Sequence, residues 1–84
     1  MNMLNTPTRH KLLAREIRPG DVLVELEWGH LGRKPIRRKV HSVASVPGYP
    51  QYVRLNVDSD TEPGATTGKN YERSEWVLVE REAR

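Results

Sequence analysis

The segment Val22-Leu23-Val24-Glu25-Leu26-Glu27-Trp28 carries the clearest structural signal in the chain. Its even-numbered residues are all apolar, and two of its three odd-numbered residues are glutamates. Because side chains alternate between the two faces of a β-strand, this period of two predicts a strand with one buried and one mostly solvated face. The face expected to be buried consists of Val22, Val24, Leu26 and Trp28.

Turn signals and alternating apolar residues predict further strands on the C-terminal side of this segment. They cover residues 36–46, 53–57 and 76–80, with a weaker strand over residues 66–71. Val40 and Val43 fall on opposite parities of one strand, which predicts a bulge near His41 and Ser42 or a bend between sheets. Four or five short strands separated by turns are typical of a small barrel or sandwich.

The residues before the first of these strands favour a short helix or helical turn. Thr6 suits the N-cap, Pro7 suits the first helical position, and Leu13 and Ile17 are four residues apart. We therefore expect helical structure over roughly residues 7–17, ended by a tight turn at Pro19-Gly20-Asp21. Residues 1–6 show no periodicity and are expected to be disordered.

The composition limits the classes of protein to which the chain can belong. It has 84 residues, a formal net charge of +3 and no cysteine, so disulfides and Cys-ligated metal sites are excluded. No apolar run approaches the length of a membrane span, and the N-terminus lacks the apolar region of a signal peptide. We expect one domain over residues 7–84, with no membrane association and a cytoplasmic location.

A local motif indicates a family of folds. The segment from Ala14 to Asp21, Ala-Arg-Glu-Ile-Arg-Pro-Gly-Asp, resembles the Ala-x-x-Leu-x-Pro-Gly-Asp opening of many SH3-like barrels, including self-splicing Hint modules. The resemblance implies a mainly β protein, a small five-stranded SH3-like barrel. Hint chemistry needs an N-terminal Cys or Ser and a C-terminal Asn. This chain has Met1 and Arg84 there, so only the turn geometry carries over.

Size and arginine bias add a second, compositional resemblance. The chain is similar to short SH3-like accessory proteins of bacteriophages that infect GC-rich, actinobacterial hosts. That resemblance implies a non-enzymatic module that docks on a host or viral protein through a barrel groove or an unpaired sheet edge. A homodimer would add stability to so small a core.

A different resemblance implies an enzyme. Residues 18–24, followed by Gly32-Arg33-Lys34-Pro35, resemble the start of MazF-like endoribonuclease toxins, which also use an SH3-like barrel. In that family the loop arginine helps to stabilise the cleaved phosphate, a role that would fall to Arg33. Lys34 departs from the pattern before Pro35, and the glutamate usual in that loop is absent.

The charge distribution supports a further alternative, a nucleic-acid-binding barrel. Residues 33–41 contain five cations and no acid, and such a segment is suited to phosphate contacts. Tyr49 and Tyr52 could stack on bases. Cross-strand pairing with Glu25 and Glu27 would instead neutralise much of the basic segment. The candidate nucleic-acid-binding residues are Arg33, Lys34, Arg37, Arg38, Lys39 and Tyr52.

The remaining motifs depart from the patterns that they resemble. Residues 64–69 are one residue short of a P-loop, and residues 58–62 begin like a calcium loop but continue with Pro63. The three histidines lack the spacing of metal ligands. Trp28 and Trp76 are expected in the core or at its rim. We therefore expect no catalytic residue, no metal and no cofactor.

Overall fold

The computed structural model describes residues 7–29, 32–59 and 61–82, so the expected disorder of residues 1–6 lies outside the described part. The described chain is an antiparallel six-stranded sheet with almost no helix, which confirms the mainly β prediction. The elements are β1 (Pro7–Leu13), a 3-10 turn (Ala14–Glu16), β2 (Val22–Gly29), β3 (Gly32–Val46), β4 (Tyr49–Asp58), β5 (Thr66–Glu72) and β6 (Trp76–Glu82).

The strands follow the order β1-β6-β2-β3-β4-β5, and the long strand β3 belongs to two halves of the sheet. Residues 32–39 pair with β2, and residues 40–46 pair with β4. The first half-sheet is therefore β1, β6, β2 and residues 32–39; the second is residues 40–46, β4 and β5. A register shift between Val40 and Ser42 marks the change, which confirms the predicted bulge.

The helix expected over residues 7–17 is wrong for its first seven residues. Residues 7–13 form strand β1, which pairs with β6 from Pro7 opposite Glu82 to Leu13 opposite Trp76. Only Ala14–Glu16 is helical. Among the described residues, no helix has the length and hydropathy needed to span a membrane. Helix propensity is a weak preference that tertiary pairing overrides, and a basic first turn opposes the helix dipole.

Both half-sheets contribute to one core. Its fully or almost fully buried members are Ala14, Ile17, Leu23, Val40, Val53, Leu55, Val57 and Val79. Leu12, Val43, Tyr71 and Val77 are partly buried against them. The chain is short, so this single cluster is thin and each of its larger side chains matters for stability.

The buried face of β2 agrees with the sequence prediction only in part, since Leu23 and Val24 are both buried. Leu23 is completely buried in the core, opposite Val79 of β6, whereas Leu26 is 47% exposed. Trp76, expected in the core or at its rim, is 64% exposed, and the side chain of Trp28 lies outside the described part. Alternation correctly identified the strand but not which of its faces the second half-sheet would cover.

The Pro19-Gly20 turn is formed as predicted, and Asp21 fixes it to the rest of the fold. Gly20 has a φ of +96°, a conformation that glycine adopts readily. The Asp21 carboxylate is 5% exposed and accepts two hydrogen bonds from Arg81, at 2.8 and 2.7 Å, and one from the Arg18 N–H at 2.9 Å. The Pro-Gly-Asp motif is therefore explained by structure, as an anchor between the first turn and β6.

Candidate binding surfaces

The side of the first half-sheet that faces away from the core is unusually apolar. Val22 lies opposite Glu80 and Leu23 opposite Val79, so even-numbered residues of β2 and β6 share this outer side. Strand β1 adds Leu13 opposite Trp76. We call this surface the apolar outer face; it consists of Leu13, Val22, Val24, Leu26, Trp76 and Leu78, of which Leu26 and Trp76 are exposed and Val24 is buried.

Cations surround the apolar outer face. The register places Arg37 opposite Val24, Lys39 opposite Val22 and Lys11 opposite Leu78. Arg9 also lies on this side, opposite Glu80. Four cations and one carboxylate therefore share the outer side among the side chains that the structure describes, which gives it a net positive charge.

Glu80 is the carboxylate at the centre of these cations. It accepts hydrogen bonds from Arg37 Nε at 2.9 Å and from Arg9 Nε at 3.2 Å, and its side chain is 12% exposed. The hydrogen bond from Arg37, reinforced by Arg9, holds the pKa of Glu80 below its ordinary value despite desolvation. The two arginines are half-exposed, so their remaining N–H groups can reach a partner.

The structure divides the basic segment instead of presenting it on one face. Arg37 and Lys39 lie on the outer side, but Arg38 is 5% exposed and its guanidinium binds Glu25. Lys69 binds the same carboxylate at 3.1 and 3.0 Å. The pairing of the segment with Glu25 is thus confirmed for Arg38. The side chains of Arg33 and Lys34 lie outside the described part.

Glu25 occupies the inner side of β2, where an apolar residue would be usual. Burial by itself raises the pKa of Glu25, but hydrogen bonds from Arg38 and Lys69 outweigh it and lower the pKa below its ordinary value. Lys69 is the lysine of the P-loop-like segment and lies on strand β5, so its contact with Glu25 gives it a structural role.

Tyr52 lies on the second half-sheet, away from the basic segment. Along β4 it is five residues from Val57, the partner of Val40, a separation of roughly 17 Å at about 3.3 Å per residue. It lines an open cleft of about 450 Å³ with Val46, Tyr49, Arg54 and Asn70. We call this the tyrosine cleft. The structure therefore separates Tyr52 from the cations with which the sequence hypothesis grouped it.

The tyrosine cleft has a defined internal geometry. The rings of Tyr49 and Tyr52 meet edge to face, with centroids 6.3 Å apart and an interplanar angle of 73°. Arg54 Nε donates to Asn70 Oδ1 at 3.0 Å. Sequence reasoning missed Arg54, although it shares a face with Tyr52 by strand alternation, and it missed Asn70, which only strand pairing brings close.

The calcium-like segment at residues 58–62 makes contacts of its own. Asp58 accepts from the Lys39 N–H at 3.2 Å and lies 2.6 Å from His41 Nε2, and Ser59 Oγ accepts from the N–H groups of Thr61 and Glu62. Asp60 lies outside the described residues. Within the described ranges, no three His, Asp or Glu side chains are grouped so that they could hold a metal ion.

Comparison of the chain with protein-family models, with characterised proteins and with solved structures finds no match. Function therefore has to be argued from the surfaces themselves, since a fold class alone does not specify one. Two surfaces stand out, the apolar outer face with its cations and the tyrosine cleft, and they lie on different half-sheets.

Proposed function

We propose that this chain is a non-enzymatic interaction module that docks through its apolar outer face on an acidic protein surface. The observation that carries the proposal is the orientation of β2. This strand leaves Leu26 47% exposed on the outer side, beside Val24, which is buried there but does not belong to the core cluster, and it places Glu25 on the inner side. A strand whose local pattern conflicts with the fold is expected where function has set the residues, and an exposed apolar patch ringed by polar groups is typical of an interaction site.

Charge determines the kind of partner. The apolar outer face is bordered by Arg9, Lys11, Arg37 and Lys39, with Glu80 as the one carboxylate described there. A second copy of the chain docked on the same face would bring these cations together, which disfavours a homodimer through this surface. A protein with an apolar centre and an acidic border fits both components of the surface.

An SH3-like fold, a cytoplasmic location and an accessory role in bacteriophages are parts of the same proposal. Strands β2, β3, β4 and β5 pair antiparallel in sequence order, and β6 pairs antiparallel with β2, an arrangement that supports an SH3-like roll. A cytoplasmic location and an accessory role in bacteriophages rest on composition and resemblance. RNA cleavage involving Arg33 stays a prediction, because the side chain of that residue lies outside the described part.

A displayed random-peptide library tests the proposal, because it samples many ligand chemistries and does not require the natural partner. We expect selection on the wild-type protein to enrich peptides with apolar anchors flanked by Asp or Glu, and their binding to weaken with salt. Leu26→Asp places a charge in the centre of the face and should weaken binding at least about tenfold, or about 1.4 kcal/mol. Ser74→Asp, which adds the same charge at an exposed turn, should bind like wild type.

The outcomes that contradict this proposal are equally concrete. Enriched peptides that bind Leu26→Asp as tightly as wild type, or no enrichment at all, would remove the apolar outer face as the docking site. Self-association in sedimentation equilibrium that Leu26→Asp abolishes would identify a second copy as the occupant and contradict the acidic-partner proposal.

A further inference from the structure

The tyrosine cleft carries a chemistry different from that of the apolar outer face. Tyr49 is 57% exposed and Tyr52 is half-buried, so both rings have surface available for contact. Their edge-to-face arrangement leaves ring faces that are not stacked on each other. Aromatic faces on the outer side of a sheet are platforms on which unpaired bases stack.

The arginines beside this cleft differ from the others in what they bind. Arg54 donates to the amide oxygen of Asn70, and Arg73 Nε donates to the Pro50 carbonyl at 2.7 Å. Both acceptors are neutral. Among the other arginines, those with described side-chain hydrogen bonds bind carboxylates: Arg9, Arg37, Arg38 and Arg81. The positive charges of Arg54 and Arg73 are therefore left uncompensated by their hydrogen-bond partners.

Arg54 is also held in place before any ligand arrives. A Cβ at Gly68 would lie 3.3 Å from Arg54 Cδ and 3.4 Å from its Nε, so the arginine stem runs close over the glycine backbone. Asn70, which lies on the same strand as Gly68, accepts a hydrogen bond from Arg54 Nε and so holds the guanidinium in place. One of the five guanidinium N–H donors is used in this way, and four are left for a ligand. Such pre-organisation lowers the entropy lost on binding.

From this geometry we infer that the tyrosine cleft binds single-stranded nucleic acid, with a base stacked on Tyr49 and a phosphate held by Arg54. A volume of about 450 Å³ accommodates a ligand of nucleotide size. Glu72 lies opposite Tyr52 in the register, so the phosphate belongs at the Arg54 end of the cleft and the base near the acid. The site is independent of the proposed docking function, since it lies on the other half-sheet.

Fluorescence anisotropy with labelled twelve-nucleotide dT and rU strands tests this inference on the intact chain. We expect binding at low salt that weakens as salt rises. Tyr49→Ala should reduce affinity about tenfold, because it removes the ring on which the base stacks. Arg54→Gln should weaken binding and reduce the slope of log K against log salt by about 0.7, the value for one phosphate contact of a single strand.

Arg37→Gln is the matched control, since it makes the same chemical change on the first half-sheet. It should bind like wild type, and so should Leu26→Asp, which separates this inference from the docking proposal. If Tyr49→Ala lowers the melting temperature, Arg54→Gln at an exposed position still decides the question.

Three results would overturn the inference. The first is no binding of either strand at about 20 mM salt, where phosphate contacts are strongest. The second is a loss in Arg37→Gln that equals the loss in Arg54→Gln, which would return the site to the basic segment. The third is full displacement of the strand by free UMP or TMP, which would identify a mononucleotide as the ligand.

Discussion

Leu23→Ala is expected to destabilise the fold by about 2–5 kcal/mol, the usual range for truncating a fully buried leucine. Leu23 has no exposed surface and packs between the two half-sheets, opposite Val79. A domain of this size has a free energy of unfolding of roughly 4–13 kcal/mol, at about 0.05–0.15 kcal/mol per residue. The substitution therefore removes a large part of the total stability.

Leu26→Ala provides the comparison, since it makes the same chemical change three residues along the same strand. Leu26 is 47% exposed, so we expect its truncation to change stability by less than about 1 kcal/mol. Urea unfolding followed by tryptophan fluorescence measures both variants. A larger loss for Leu26→Ala than for Leu23→Ala would mean that β2 buries its other face.

Asp21→Asn is expected to lower the free energy of unfolding by about 3 kcal/mol. The substitution removes the charge that pairs with Arg81 and weakens an acceptor that also serves the Arg18 N–H. Removing one partner of a buried ion pair typically costs about 3–5 kcal/mol. The lower end applies here because the Arg81 side chain is 28% exposed and can be partly rehydrated.

The same substitution should alter the acid unfolding of the protein. Burial raises the pKa of Asp21, but the hydrogen bonds from Arg81 and the Arg18 N–H outweigh it, so the pKa lies below its ordinary value of 3.8. A depressed pKa contributes stability that is complete above pH 3.8 and is lost as the pH falls through the lower folded value. We expect Asp21→Asn to flatten this acid limb, with Glu25, Asp58 and Glu80, whose pKa values are also lowered, responsible for the remainder.

Asp58→Asn is the control for Asp21→Asn. Asp58 also accepts a backbone and a side-chain hydrogen bond, but its side chain is 51% exposed and its contact with His41 is solvated. Exposed pairs contribute little, so its urea midpoint at neutral pH should match wild type. Equal destabilisation by the two substitutions would show that burial of Asp21 is not what makes its ion pair important.

Local patterns were sufficient to predict strands β2 to β6, the bulge and the first turn. Val40 and Val43 fall on opposite parities because β3 passes from one half-sheet to the other between them, and that change is visible in the sequence alone. The helix over residues 7–17 failed because the partner of β1 is β6, more than sixty residues away. No local signal contains that pairing.

The binding surfaces were harder to predict from the sequence than the strands. The basic segment is contiguous in the chain, but side chains alternate along β3, so Arg38 lies on the inner side and Arg37 on the outer side. Only the pairing with β2 determines which of the two is inside. Tyr52 and Arg54 share a face by the same alternation, so that half of the tyrosine cleft could have been found. Asn70 comes close to Arg54, and Glu80 comes close to Arg37, only through long-range strand pairing.

Thiol labelling of two single-cysteine variants most directly tests which side of β2 faces the solvent. The chain has no cysteine, so Leu23→Cys and Leu26→Cys each introduce one reporter. In the folded protein, the thiol at position 26 should react with an aromatic disulfide reagent at a rate close to that of the urea-unfolded chain, whereas the thiol at position 23 should be strongly protected. Rapid labelling at position 23 together with protection at position 26 would contradict the account.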